Sequence, residues 1–344
     1  LNLRYNIASN QYTKFISTFG NINMYASYLS ISIPVLLAVF AFCKNWFSRI
    51  LSGILLIAAG CNILIANSDS VFLGIFAGVV VVTILAFMQG RLRYSSFAVF
   101  LLFVGNLVLG FINKYGHTRY DKKRGGLAIA LNRLDIAFVL CGAALLVFAV
   151  VCVCNWKLGT RVAAWNKKKI VLIVCGACVA LGVIGIIVLA VTGSSLLTFN
   201  DKWGSYRGYI WRKIVEVYGD APFVNKLFGY GNESVRVTLK AACYNEMVQV
   251  TGKVYDNAHN ELLQYLFTTG IVGLLSYLAL VGSSIVYMFK HAKEHAWISV
   301  CLAATVGYFA QSILNLNQPI TTPLFFVFMA MGVGTVNYCR RVKE

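Results

Sequence analysis

Three short segments hold the residues best suited to chemistry. The first runs Tyr255-Asp256-Asn257-Ala258-His259-Asn260-Glu261-Leu262-Leu263. Histidine is the side chain whose ordinary proton affinity lies near neutrality, so His259 suits a general base or an orienting acceptor. Asp256 or Asn257 is expected to cap a helix with His259 in its first turn, on one face with Leu262, Leu263 and Leu266. A lone histidine on such a face is usually a satisfied structural residue. Its place at a membrane boundary, at a helix N-terminus that favours anions, tilts the reading toward function.

The second segment is Arg207-Gly208-Tyr209-Ile210-Trp211. A guanidinium grips two phosphate oxygens at once, whereas a lysine presents a point charge. The competing reading of Arg207 is a headgroup-snorkelling arginine. Ile210, Ile214 and Val217 recur at helical spacing, so an amphipathic helix is expected to rest on the membrane surface with Trp211 at headgroup level. The third segment, Gly229-Tyr230-Gly231, reads as a turn whose backbone would also allow close approach of a ligand.

Other candidates are single residues. Arg119 and Arg124 lie in a basic loop, 113–134, that suggests an anionic partner, either lipid headgroups or a diphosphate. Asp69, between Ser68 and Ser70, is a carboxylate at a membrane boundary; it is a functional candidate, a helix cap or a partner for a loop arginine. His117 lies in the basic outer loop, and His291 and His295 read as surface residues. No Asp-x-Asp, Walker or Gly-x-Ser-x-Gly motif occurs, so a metal-clasped nucleotide-sugar site has no support, and neither metal nor cofactor is expected.

The elements that must position these residues are membrane helices. Of 344 residues, 59% are hydrophobic and only 12% charged, with mean hydropathy +0.72. Soluble domains carry about a quarter charged residues, so soluble, disordered and fibrous classes are excluded. The net charge of +18 is not gathered on one soluble face, which argues against nucleic acid as a partner. An all-α polytopic membrane protein is expected, with nine spans near 24–43, 50–66, 71–89, 95–112, 135–154, 170–193, 271–289, 296–314 and 320–339. The short connections on one side hold 14 basic residues against Glu294 and Glu344, which makes that side cytoplasmic. The long segment 194–270 and the loop 113–134 then face outward. The expected division is 1–193 as N-terminal membrane helices, 194–270 as a catalytic loop and 271–344 as C-terminal membrane helices. The chain opens on Leu1 with no signal peptide, and reads as starting part-way into a longer protein.

The pattern resembles the O-antigen ligase and polymerase superfamily of bacterial envelope polysaccharide assembly. The residues that carry the resemblance are Phe19-Gly20-Asn21-Ile22-Asn23 with Ala26, the Arg207-x-x-x-Trp211 element and the Gly229-x-Gly231 turn. Ala258-His259-Asn260-Glu261-Leu262 followed by Thr269-Gly270-Ile271-Val272-Gly273 completes it. One departure stands out: Asp69 occupies the place where many members carry arginine. The resemblance implies transfer of a glycan from an undecaprenyl-diphosphate carrier to a sugar hydroxyl or lipid acceptor. It places this at the extracytoplasmic face of the bacterial cytoplasmic membrane, without metal or nucleotide. In it, Arg207 and more weakly Arg124 would hold the diphosphate. His259 would serve the attacking hydroxyl, Asn257 and Asn260 would orient the histidine or the sugar, and Trp211 would belong to an aromatic platform. A chain-length regulator is a further implied partner, and surrounding membrane lipids are another. A polymerase joining repeat units is favoured. A ligase attaching finished chains is the alternative, and a transporter is disfavoured because the ionisable candidates cluster at a membrane boundary rather than mid-span.

Overall fold

The computed structural model describes residues 19, 21–66, 68–115, 134–163 and 200–344. Among them lie eleven helices: α1 (Ile22–Phe42), α2 (Trp46–Ala66), α3 (Asp69–Met88), α4 (Leu92–Tyr115), α5 (Leu134–Ala163), α6 (Trp203–Gly219), α7 (Phe223–Phe228), α8 (Ser234–Thr251), α9 (Glu261–His291), α10 (Ala296–Ser312) and α11 (Thr322–Arg341). Seven of these are long and apolar enough to cross a bilayer: α1 to α5, α9 and α11. The protein is therefore an all-helical polytopic membrane protein. The expected span 296–314 appears as α10, an apolar helix of 17 residues. The expected span 170–193 lies outside the described residues.

The chain divides into two compact units. The first comprises residues 1–163, 283–311 and 317–344; the second comprises 164–282 and 312–316. In the first, α1 is central: 72% of its apolar window is buried, against 11% for α5. Asn21 caps α1 by accepting a hydrogen bond from the Asn23 amide at 2.8 Å. The far end of α1 is closed by two arginines. Arg49 donates to the carbonyls of Phe40 (3.2 Å) and Cys43 (2.8 Å), and Arg91 to those of Ala41 and Phe42 (both 3.3 Å). A cation at a helix C-terminus satisfies orphan carbonyls and opposes the helix dipole. These two basic residues therefore have a structural role besides any contribution to orientation.

Small residues let these helices touch. A Cβ on Gly105 of α4 would lie 1.9 Å from the Ile57 carbonyl oxygen, and one on Gly60 of α2 would lie 2.1 Å from that of Leu102. Without a hydrophobic driving force between helices in lipid, such backbone contact supplies much of the packing energy. A buried polar chain adds to it: Ser27 donates to Gln311 (3.1 Å), which donates to Ser70 (3.3 Å), and so joins α1, α10 and α3.

The second unit packs α6 and α8 with the segment 255–267 around Tyr209, Ile210, Ile214, Leu239, Met247 and Phe267. Tyr209, Ile210 and Ile214 are fully buried there. The apolar face of α6 thus packs inside the protein, which corrects the expectation that this helix lies on the membrane. Trp211 likewise packs inward: its indole nitrogen donates to the Ala258 carbonyl at 2.8 Å and its ring meets Trp203. Within α9, Gly270 (φ 68°, ψ −172°) separates a short segment, 261–269, from the span that follows.

The glycine contacts yield a test. Gly105→Leu should force α2 from α4 and sharply reduce the folded yield, whereas Gly142→Leu, where an added Cβ meets nothing within 4 Å, should not. Membrane-extracted yield and thermal unfolding in detergent would show the difference.

Candidate functional site

The site is built on two backbone irregularities. Immediately before Arg207, three consecutive residues adopt left-handed conformations: Gly204 (φ 56°), Ser205 (φ 62°) and Tyr206 (φ 71°). For residues other than glycine this costs roughly 1–2 kcal/mol each, so something must hold it. Tyr255 does so by donating its hydroxyl to the Ser205 carbonyl at 2.9 Å. The Tyr209 amide reaches back to the Asp201 carbonyl (3.3 Å), and Gly208 is required by closeness, since a Cβ there would lie 2.0 Å from the Asn200 carbonyl oxygen. The base of α6 is braced by ion pairs. Arg212 takes both oxygens of Asp201 (3.1 and 2.9 Å), and Lys213 bridges Glu246 of α8 at 2.8 Å.

The second irregularity is His259 itself, with φ 48°. It lies before the helix, not in its first turn. The N-cap of α9 is Asn260, whose side chain accepts from the Leu263 amide at 3.0 Å while its carbonyl accepts from Gln264 at 2.9 Å. Asn257, expected as the cap, instead accepts the His259 amide at 3.1 Å and donates to Asp256. Its side chain supports the left-handed residue by a local turn. The Ala258 amide donates to the Gln264 side chain at 2.9 Å, and the Ala258 carbonyl takes the Trp211 indole. The peptide before His259 is thus held from both ends.

The imidazole packs edge-on against Tyr255, ring centres 5.8 Å apart. Burial depresses its proton affinity most, and the positive charges of Arg207 and then Lys253 act in the same direction; Asp256 opposes them. The result is a pKa lowered to about 4, so His259 is neutral at physiological pH. Its Nδ1 is buried with no hydrogen-bond partner among the described residues. A neutral imidazole with an unpartnered nitrogen, in the field of an arginine, can accept a proton while the arginine holds an anion.

The structure therefore brings together Arg207, Trp211, Asn257, His259 and Asn260. The glycine turn lies elsewhere on the same unit, at the far end of the first part of α9. A Cβ on Gly229 (φ 77°) would fall 2.3 Å from the Thr268 carbonyl carbon and oxygen, so this glycine serves backbone contact. Gly231 (φ 99°) donates its amide to the Thr268 carbonyl at 3.0 Å. Asn21, Asn23 and Asp69 belong to the other compact unit. Asp69 opens α3, but its side chain is outside the described residues, as are Arg119 and Arg124 entirely. His291 pairs with Glu294 at 2.7 Å. Among the described residues no group of three or more His, Cys, Asp or Glu side chains could hold a metal ion.

Two contributors escaped the sequence reading. Tyr255 links the halves of the site, and only its position within the chemistry-bearing segment hinted at that. Glu261 is fully buried, and its carboxyl accepts from Tyr277 at 3.2 Å and is also hydrogen-bonded by Ser312.

Residues 125–278 match the family model described as O-Antigen ligase. This stretch of the chain is thus similar to the O-antigen ligase family. The matched stretch takes in Arg207, the glycine turn and His259, and ends inside α9, so the assembled residues all fall within it. No curated protein matches the chain.

The depressed proton affinity of His259 has a consequence for stability. Between about pH 6.5 and 4 the unfolded chain binds a proton that the folded domain rejects, so stability falls as pH is lowered through that window. Replacing His259 by Gln should remove this loss, about 3 kcal/mol at full extent. Thermal unfolding of both proteins at pH 7.5, 5.5 and 4.5 checks it; parallel curves would contradict the burial of a neutral imidazole.

Proposed function

We propose that this chain is a polysaccharide polymerase that transfers a glycan from undecaprenyl diphosphate to a sugar hydroxyl at the extracytoplasmic face of the membrane. The observation that carries the reading is the neutral imidazole of His259, its Nδ1 without a partner among the described residues, in the field of Arg207 and inside the matched stretch. The acceptor hydroxyl attacks the anomeric carbon, its proton passes to the imidazole, and the carbon–oxygen bond to the diphosphate breaks. The departing lipid diphosphate carries the negative charge away, and a fixed guanidinium is suited to stabilise that charge as it develops. No step in this scheme calls for a metal.

The electrostatics couple donor to base. In the free protein Arg207 and Lys253 lower the proton affinity of His259. A diphosphate bound beside Arg207 neutralises that field, so the histidine becomes a stronger base when the donor is present. This brings it closer to the working pH, where a general base is most effective. The family description favours a second reading, a ligase that attaches finished chains to a lipid or wall acceptor. The donor half of the mechanism is the same, and only the acceptor differs.

His259→Ala and Arg207→Ala should each lower transfer by about 10²–10⁴-fold. In cells, long chains should vanish from the polymer ladder at normal membrane levels of protein. Wild-type chain lengths in both variants would sink the proposal. The pH profile offers a separate check: the acid limb of kcat/KM should lie near pH 4, and that of kcat at higher pH, because the bound diphosphate raises the base. Coincident limbs would exclude this coupling.

A further inference from the structure

Helix α7 (Phe223–Phe228) is six residues long and four of them are apolar, yet none is buried. Phe223, Val224 and Phe228 are 73%, 65% and 62% exposed. Large apolar side chains clustered this closely in sequence and left exposed to water mark an interaction site. Its neighbours say what covers it. Immediately after α7, the chain is pressed against the backbone of α9 just before the span begins. A Cβ on Gly270 would lie 2.2 Å from the Leu227 carbonyl oxygen, and the Tyr230 amide donates to the Phe267 carbonyl at 3.0 Å. From α6, Tyr218 donates to the Lys226 carbonyl at 2.5 Å, a third tether. The span then opens with Ile271, Val272 and Leu275, which are 37%, 45% and 57% exposed, as side chains facing acyl chains should be. So α7 is held by backbone contacts at the level where a membrane-spanning helix starts, and both it and the start of that span carry exposed apolar side chains. α6, the other short amphipathic helix, has its apolar face inside the protein.

We propose that α7 is an interfacial anchor whose Phe223, Val224 and Phe228 enter the acyl-chain boundary of the bilayer, with bulk phospholipid as the occupant. The helix has the attributes this requires. Aromatic and aliphatic side chains reach the boundary, and Lys226 is a basic side chain able to extend toward lipid phosphate. Because the tethers are backbone contacts, the apolar side chains are free to serve the lipid without loosening the fold.

The experiment uses the full chain, one copy per nanodisc, in phosphatidylethanolamine and phosphatidylglycerol doped with a phospholipid bearing a diazirine on its acyl chain. After photolysis, mass spectrometry maps the adducts. No glycan donor is present, so the outcome is independent of the proposed reaction. Adducts are expected on residues 223–228 as well as on the span after Gly270. The triple variant Phe223→Ser, Val224→Ser, Phe228→Ser should lose at least several-fold of the former and keep the latter, with unchanged thermal unfolding. Adducts on the span alone, with 223–228 labelled instead by hydroxyl radicals from solution, would overturn the proposal. So would adducts on 223–228 that disappear when polyprenyl diphosphate is added, which would assign the surface to the carrier chain. Protection that arises only in discs holding two copies would assign it to self-association and overturn it equally.

Discussion

The hydrogen bond from Tyr255 to the Ser205 carbonyl joins two stretches of chain that are separated by 50 residues and are individually unfavourable. On one side stands a left-handed run that only glycine would adopt without cost. On the other stands a loop that ends in a histidine of positive φ. Neither conformation is favoured by its own sequence, and each persists because the other, together with the core between them, over-determines it. The same tyrosine forms one wall of the imidazole. Its placement therefore holds the backbone leading into the arginine by hydrogen bonding and the histidine by packing.

The electrostatic state of the site follows from this geometry. A histidine on an open loop would titrate near its ordinary value. Here burial and two nearby cations keep the ring neutral, and its unpartnered nitrogen cannot be satisfied by solvent. A buried polar atom without a partner is a reservoir of interaction for whatever replaces the missing donor. The ion pairs of Arg212 and Lys213 are partly exposed and contribute little to stability individually. Their value is directional, since they clamp the start of α6 to Asp201 and its middle to α8.

Much of the architecture was legible in the residues. Apolar runs of span length announced the helices, because lipid forces every backbone amide to bond within its own segment. The cap of α9 was misplaced by three or four residues, since Asp256, Asn257 and Asn260 are all chemically fit for it and only the observed backbone path selects Asn260. The lipid-facing reading of α6 failed for a related reason. Helical periodicity reports that one face is apolar and is silent on whether protein or lipid covers it. Arg49 and Arg91 show the converse, as basic residues that signal orientation in a sequence also close a helix in the fold.

By itself the sequence determined the class of protein, the seven spans seen among the described residues and the residue types available for chemistry, because these depend on composition and on spacing within single elements. It also placed Arg207, His259 and the glycine turn on one long segment. Only the tertiary structure decided that Arg207 and His259 share a site while the turn does not, that the ring is neutral, and that α7 rather than α6 presents its apolar face. Those outcomes depend on long-range contacts, through burial, field and backbone strain, and such quantities belong to the packed chain rather than to any segment of it.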